Sequence, residues 1–304
     1  VKANKKANYP GETTMTTQLF TTLLTATLAA ASLSAQIIDR LPQARDSRQA
    51  PELAGAARFG AYDLALKAAP EMAAAGTDVV IPLVMNAEGL RTTILLVNHD
   101  ATPADYDFAF VNPSGGSLQV GLADGSRTAG LRGRIPANGT VEIRTSGRGT
   151  GETGWAFFST RGGKVVGQAS LESLDPNTGT WLAASFTAGN FFAPRATVRF
   201  DNRDGYRGAL ILVNLDSSAT RQVTLTLRGD DGGVITTFVG EMGPLSQASA
   251  VLPEMFATSA NRTGRVEVSV ASGQRGGIVI LNLNYLSDQK FSTQTGTTLT
   301  EWVR

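Results

Sequence analysis

TILLVNHD (Thr93–Asp100) and LILVNLD (Leu210–Asp216) are nearly the same apolar run, each closed by Asn-x-Asp. Asn98 and Asn214 stand 116 residues apart, and so do Gly89 and Gly205 before them. A short run rich in Ile, Leu and Val between turn formers reads as a core strand. Asn-x-Asp at its end suits side chains that bond local backbone and start the next turn. Repetition at a fixed offset implies a duplicated unit. Later landmarks correspond more loosely: PANGT at Pro136 with PLSQA at Pro244, and TGWAFFS around Gly154 with TGRVEVS around Gly264.

Outward from these runs the texture stays the same. VVIPLVM, DYDFAFV, TVEIRT, GWAFFS, KVVGQASL and WLAASF in the first half are short and apolar or alternating. ATVRF, RQVTLTLR, GVITTFV, QASAVL, GRVEVSV, GGIVILNLNYL and TLTEWV continue the series in the second. Turn clusters such as NPSGG, ADGSR, PANG and DPNTG separate them. Strands at this spacing point to an all-β sandwich architecture. Val223, Leu225 and Leu227 alternate with Thr224 and Thr226, as expected of strands with one wet and one buried face.

Composition narrows the chemistry. The chain has 304 residues, no cysteine and a single histidine, His99. Disulfides, thiolate metal sites, a cysteine nucleophile and any two-imidazole site are therefore excluded. At 17% charged residues and a net charge of +1, it has no basic surface to suggest a nucleic-acid partner.

The N-terminus reads as a targeting segment. LFTTLLTATLAAASLSAQ from Leu19 is uncharged, apolar and rich in small residues, and it is short for a membrane span. Residues 1–35 are expected to be a secretory signal peptide cut near Ala35, although Leu33 sits where a small residue is usual. A start at Met15 would leave the preceding residues untranslated, whereas a start at Val1 would supply Lys2, Lys5 and Lys6 as the basic n-region. The first is preferred here. Removing residues 1–35 takes away those three lysines and Glu12, turning the net charge from +1 to −1. No transmembrane segment is expected in the mature chain. Residues 36–77, Ala- and Arg-rich with Pro70 breaking any helix, are expected to be a leader or spacer, partly helical or disordered. Sandwich domains are expected over 78–188 and 189–304, with AGNFFAP (Ala188–Pro194) as a packed hinge.

The order Ile81-Pro82, Leu96-Val97-Asn98, Pro113 to Gly116, Pro136 to Gly139, Gly154-Trp155-Ala156 and Lys164 to Leu171 resembles a known pattern. It is that of the tandem Ig-like β-sandwich repeat proteins secreted by acidobacteria and related soil bacteria, a family of unknown function. The chain departs from it in having Asn-His and Asn-Leu where Asn-Pro is usual. The resemblance covers most of 78–304 and rests on fold motifs. It implies an immunoglobulin-like fold and an extracellular location, and it carries over no catalytic residue.

Candidate chemistry is sparse. His99 with Asp100, Asp105 or Asp107 lacks a G-x-S-x-G nucleophile, and the repeat-equivalent position is Leu215. Glu142, Glu152, Glu172 and Glu267 are the carboxylates a glycosidase-like pair would draw on; strand carboxylates more often keep a sheet soluble. No cofactor or metal site is expected; the nearest candidate is Ca²⁺, through Asp201 and Asp204 in DNRDG and Asp230 and Asp231 in GDDGG. Arg203 breaks the ligand spacing, so both stretches read first as hairpin turns. Arg228-Gly229-Asp230 and the loops SRTAGLRGR (126–134) and TSGRGTGETG (145–154) read as turn and surface loops. Among the aromatics, Trp155, Trp181, Trp302, Phe157, Phe158, Phe191 and Phe192 would fill cores or the seam between domains, and Trp181, just after DPNTG, is the candidate for stacking on a sugar.

The expected function is a secreted, periplasmic or cell-surface module that binds or builds rather than catalyses, its partner an extracellular polymer or cell-surface component. The alternatives are a carboxylate-based hydrolase using the inter-domain groove and a subunit of a cell-envelope assembly.

Overall fold

The apolar runs become strands because their side chains alternate between a dry and a wetter environment, and the turn clusters cut them to length. The computed structural model describes residues 57–58, 79–175, 177–188, 195–271, 277–285, 291–295 and 297–298. The signal segment, nearly all of the 36–77 leader, the hinge beyond Ala188, Phe191, Phe192 and Trp302 lie outside the described residues.

The first half holds β1 (Ala57–Arg58), β2 (Val79–Ala87), β3 (Leu90–Asn98), β4 (Ala104–Val111), β5 (Val120–Gly121) and β6 (Arg127–Thr128). It continues with β7 (Gly130–Ile135), β8 (Thr140–Arg144), β9 (Thr150–Arg161), β10 (Val165–Leu174) and β11 (Trp181–Thr187). The second half holds β12 (Arg195–Asp201), β13 (Arg207–Asn214), β14 (Arg221–Gly229), β15 (Val234–Met242) and β16 (Gln247–Val251). A short helix α1 (Leu252–Met255) and a 3₁₀ turn (Ala257–Ser259) precede β17 (Thr263–Val270), β18 (Ile278–Tyr285), β19 (Phe291–Thr295) and β20 (Thr297–Thr298). The described chain is all-β, and its sheets are antiparallel, as the alternating runs predict.

In the first half the strands follow the path β1-β7-β4-β9-β2-β3-β10-β11, with β8 added beside β3. β2 pairs with β9 along most of its length but meets β3 only at Asn86↔Arg91 and Ala87↔Leu90. The path folds at that hairpin, and two layers face each other across a core. Ile81, Phe108, Phe110 and Phe158 from one layer meet Ile94, Leu96, Ile143 and Leu171 from the other. In the second half the sheets are β15-β14-β17-β12-β20 and β16-β13-β18-β19. Their core joins Val198, Phe200, Leu225 and Val266 to Leu210, Leu212, Ile278 and Ile280. The order β7-β4-β9-β2 is matched by β15-β14-β17-β12, and β8-β3-β10-β11 by β16-β13-β18-β19.

The repeated Asn has the same work in both halves. Asn98 is buried; its amide donates to Thr102 O (2.7 Å) and Pro136 O (3.1 Å), and its Oδ1 accepts from Asp100 N (3.0 Å). Asn214 donates to Ala219 O, Met242 O and Gly243 O and accepts from Asp216 N. Each thus ties the end of a core strand to the following turn and to the loop that enters β8 or β16. Gly154 and Gly264, the other repeated landmark, sit where β9 and β17 press on a neighbouring strand. A Cβ there would lie 2.1 Å from Val111 O and 1.9 Å from Arg228 O respectively, so only Gly fits.

The halves meet face to face. Ile211, Val213, Val279 and Leu281 point away from their own core and pack with Val80, Trp155, Phe157 and their neighbours in the first half. β13 and β18 are therefore buried on both faces, which explains their unbroken apolar runs. Polar bonds cross the seam: Trp155 Nε1 donates to Leu245 O (3.1 Å), and Gln247 Nε2 donates to Pro82 O (2.7 Å) and Gly154 O (2.9 Å).

One stretch departs from the sequence reading. SRTAGLRGR, expected as a surface loop, contains β6 and most of β7, and β7 pairs with β4 from Ala104↔Ile135 to Ala109↔Gly130. Its alternation is Leu131, Gly133, Ile135 inward and Arg132, Arg134 outward. The inner middle position is Gly because the Tyr106 ring fills the space: a Cβ would lie 2.7 Å from its hydroxyl. That glycine hides the apolar period. TSGRGTGETG likewise runs into β9 at Thr150.

Two stability tests follow from the Asn corners. Asn214→Ala strands three buried carbonyl contacts and should cost about 2–4 kcal/mol in urea unfolding, with Asn98→Ala somewhat less. Asp216 is partly buried, which opposes its ionisation, yet the amides of Ser218 and Ala219, the Ser218 hydroxyl and Arg221 together hold its carboxyl below the usual range. Its stabilisation is complete above the unfolded-state value of about 3.9 and is lost as pH falls through the lower folded-state value. Asp216→Asn should therefore be less stable at neutral pH, with the gap to wild type closing on acidification; an unchanged gap down to the lowest pH would refute this role.

A candidate binding face around Trp181

β8, β3, β10 and β11 turn one face to the first-half core and the other outward. Register places the outward residues in rows across the sheet. Arg144, Thr93, Ser170 and Ser185 form one row, and Glu142, Leu95, Gln168 and Thr187 the next. Ser170 Oγ and Ser185 Oγ are 2.7 Å apart, and Arg144 Nε donates to Thr93 Oγ1 (3.2 Å). Arg91, Glu172 and Ala183 make the row nearest Trp181.

Trp181 opens β11 and is half-buried. The Arg91 guanidinium lies 3.7 Å above its ring centroid, a cation–π stack. Arg91 Nε also bonds Glu172 Oε2 at 2.6 Å, and both side chains are mostly buried, so the stack is held from behind. The ring edge rests on Gly147, where a Cβ would come within 3.0 Å of Cη2. Gly147 is itself pinned: its N–H donates to Asn86 Oδ1 (2.8 Å) and its carbonyl accepts from Gly89 N (3.1 Å). Trp181 is thus a fixed ring at the corner of a hydroxyl-bearing sheet face, with one ring face taken by Arg91. Such a surface offers donors and acceptors in rows beside an aromatic ring, chemistry that suits a hydroxyl-rich ligand.

The other candidates are distributed differently. Each of the four carboxylates has an arginine partner: Glu142 with Arg144, Glu152 with Arg127, Glu172 with Arg91, and Glu267 with Arg228 and Arg265. Glu152 also accepts from the buried Asn86 amide (2.9 Å). None of them lies opposite another in register. His99 is exposed, and Asp107 is engaged by Arg132 and Arg161.

GDDGG is the turn of the β14–β15 hairpin, whereas DNRDG, read from sequence as a hairpin turn, carries the chain from β12 in one sheet to β13 in the other, because those two strands do not pair; Asp204, Gly205 and Gly232 take positive φ. Asp201 is held below the usual carboxylate range chiefly by the Arg203 guanidinium, Asp230 pairs with Arg199 and Thr263, and Asp231 accepts from Gly233 N. Among the described residues no group of three or more carboxylate or imidazole side chains is placed to hold a metal. Arg228 lies within β14, bonded to Glu267, so the Arg228-Gly229-Asp230 tripeptide is not presented whole at a tip. Trp155 and Phe157 fill the seam and Phe158 the first core.

Arg91, Ser170 and Ser185 were not singled out from sequence. Their signal was strand alternation, which puts them outward, but only sheet order brings β3, β10 and β11 side by side.

No family model matches the chain, and no curated protein does. Among solved structures the chain has been aligned with the apo form of the Pleurotus ostreatus lectin at 11% identity, over 82% of this chain and 88% of the lectin, with a TM-score of 0.13. A score that low carries no argument about fold or function. No helix among the described residues is long and apolar enough to cross a membrane.

Arg91→Ala should uncover the Trp181 ring. Acrylamide quenching of tryptophan fluorescence should rise in that variant and return towards the wild-type value when Trp181→Phe is added; equal quenching in wild type and Arg91→Ala would refute the stack.

Proposed function

We propose that the chain is a secreted or cell-surface, non-catalytic binding module of two tandem Ig-like sandwiches, and that it takes an extracellular polysaccharide on the outer face of β8-β3-β10-β11. The observation that carries this reading is the Trp181–Arg91–Glu172 corner on the same sheet face as the Ser170, Ser185, Thr93 and Gln168 side chains. An aromatic held in place beside strand-borne hydroxyl and amide groups costs little ordering entropy on binding. The matched strand order of the two halves supports the tandem reading. The apolar run from Leu19 supports export.

The test is retention of the purified chain on insoluble polysaccharides and on isolated bacterial envelopes, with calcium and with a chelator. Saturable binding to one polymer is expected, weakened about tenfold by Trp181→Ala. Binding to none of these, or binding untouched by Trp181→Ala together with Ser170→Ala, would overturn the assignment.

A further inference from the structure

β15 is the last strand of its sheet among the described residues. Its counterpart in the first half, β7, is guarded in two ways: it carries Arg132 and Arg134, and β1 pairs along it through Ala57↔Arg132 and Arg58↔Leu131. β15 reads VITTFVGEM, with no Pro, Lys or Arg and only Glu241 charged. Val234 and Val239, both on this strand, are 57% and 54% exposed, the highest values among the exposed large hydrophobic side chains. Beside the strand, an apolar groove between β15 and β16 is lined by Leu212, Leu225, Phe238, Met242 and Met255. An edge strand this long and this poor in charge is a template for further pairing unless something covers it.

We propose that β15 is a self-association edge, where two copies of the chain pair β15 to β15, antiparallel, across a two-fold axis. The chain already adds a strand at the equivalent edge of its first half, so this side of the fold accommodates one. An edge strand is self-complementary under a two-fold operation, and the match needs no second sequence. An axis at Phe238 sets Val239 opposite the partner's Thr237 and Glu241 opposite the partner's Ile235. That gives Val239 a cross-strand neighbour and keeps the two carboxylates from facing each other. Two five-stranded sheets then join into one continuous sheet, and the unpaired backbone groups of both edges are satisfied together.

The full chain should sediment with the mass of two chains at micromolar concentration, and Val239→Lys should return it to the mass of one. Val239 is solvent-facing, so the melting temperature of the variant, measured at a concentration where wild type is dissociated, should be unchanged. Because the chain has no cysteine, Thr237→Cys with Val239→Cys should give an intermolecular disulfide on mild oxidation, while a cysteine pair at Asn177 and Thr178 in the β10–β11 turn should not. A wild-type chain that stays monomeric, a Val239→Lys dimer as tight as wild type, or equal cross-linking from both cysteine pairs would overturn the proposal.

Discussion

The structure depends on the two-sided burial of β13 and β18. Leu210, Leu212, Ile278 and Ile280 belong to the second-half core, while Ile211, Val213, Val279 and Leu281 belong to the seam with the first half. A one-residue slip would exchange the two sets, so register in these strands is specified from both sides. Each such side chain is worth about 1.5–3 kcal/mol on burial, and these eight therefore outweigh any surface ion pair in the molecule. The seam also has direction. Trp155 and Gln247 donate to carbonyls of the opposite half, and a buried donor without its acceptor would cost more than the bond contributes. The constraint shows in the backbone at Leu245, which takes a left-handed φ of 51° while its carbonyl receives the Trp155 indole. Its counterpart in the first half is Asn138, at φ 52°, a residue that adopts this conformation readily. The two turns bond alike: Asn138 N to Asp100 O, and Leu245 N to Asp216 O. Leucine accepts the strained position because its side chain packs in the seam.

Within each half the buried Asn does what the seam does between halves. It replaces water for carbonyls that the turn would otherwise leave unpaired, and it joins three chain segments at one point. The surroundings differ where the halves differ in exposure. His99, after Asn98, is in solvent, whereas Leu215, after Asn214, packs against the seam. The same fold position has been tuned by what covers it.

The candidate face lies on the opposite side of the first half from the seam. The layer β7-β4-β9-β2 is sandwiched between a core and the second half, which leaves β8-β3-β10-β11 as the first-half layer whose outer face no other described layer covers. Polar side chains alternate there with Leu95, Val97 and the exposed Val166, and among the described residues Trp181 with its arginine is the one large aromatic on it. The Arg91 stack leaves that ring without two bare faces: one of them is taken by the guanidinium.

By itself the sequence determined the strand class, many of the places where strands end, the Asn and Gly landmarks that recur at one offset, and the absence of cysteine. These rest on local physics: period-two alternation, turn residues, and residue types that are absent. Asn98 and Asn214 were legible for the same reason, since their bonds are mostly to nearby turns. β7 was not legible, because Gly133 yields its inner position to Tyr106, a residue far from it in sequence. The candidate face was legible in one residue of several. Trp181 follows a turn and could be picked out, but Arg91 lies far from it in sequence and becomes its partner only through the order β3-β10-β11. Likewise LILV and IVIL read as core runs, yet that their alternate side chains serve two different cores was decided by the docking of one half on the other. Pairing and docking are long-range, and no local pattern encodes them.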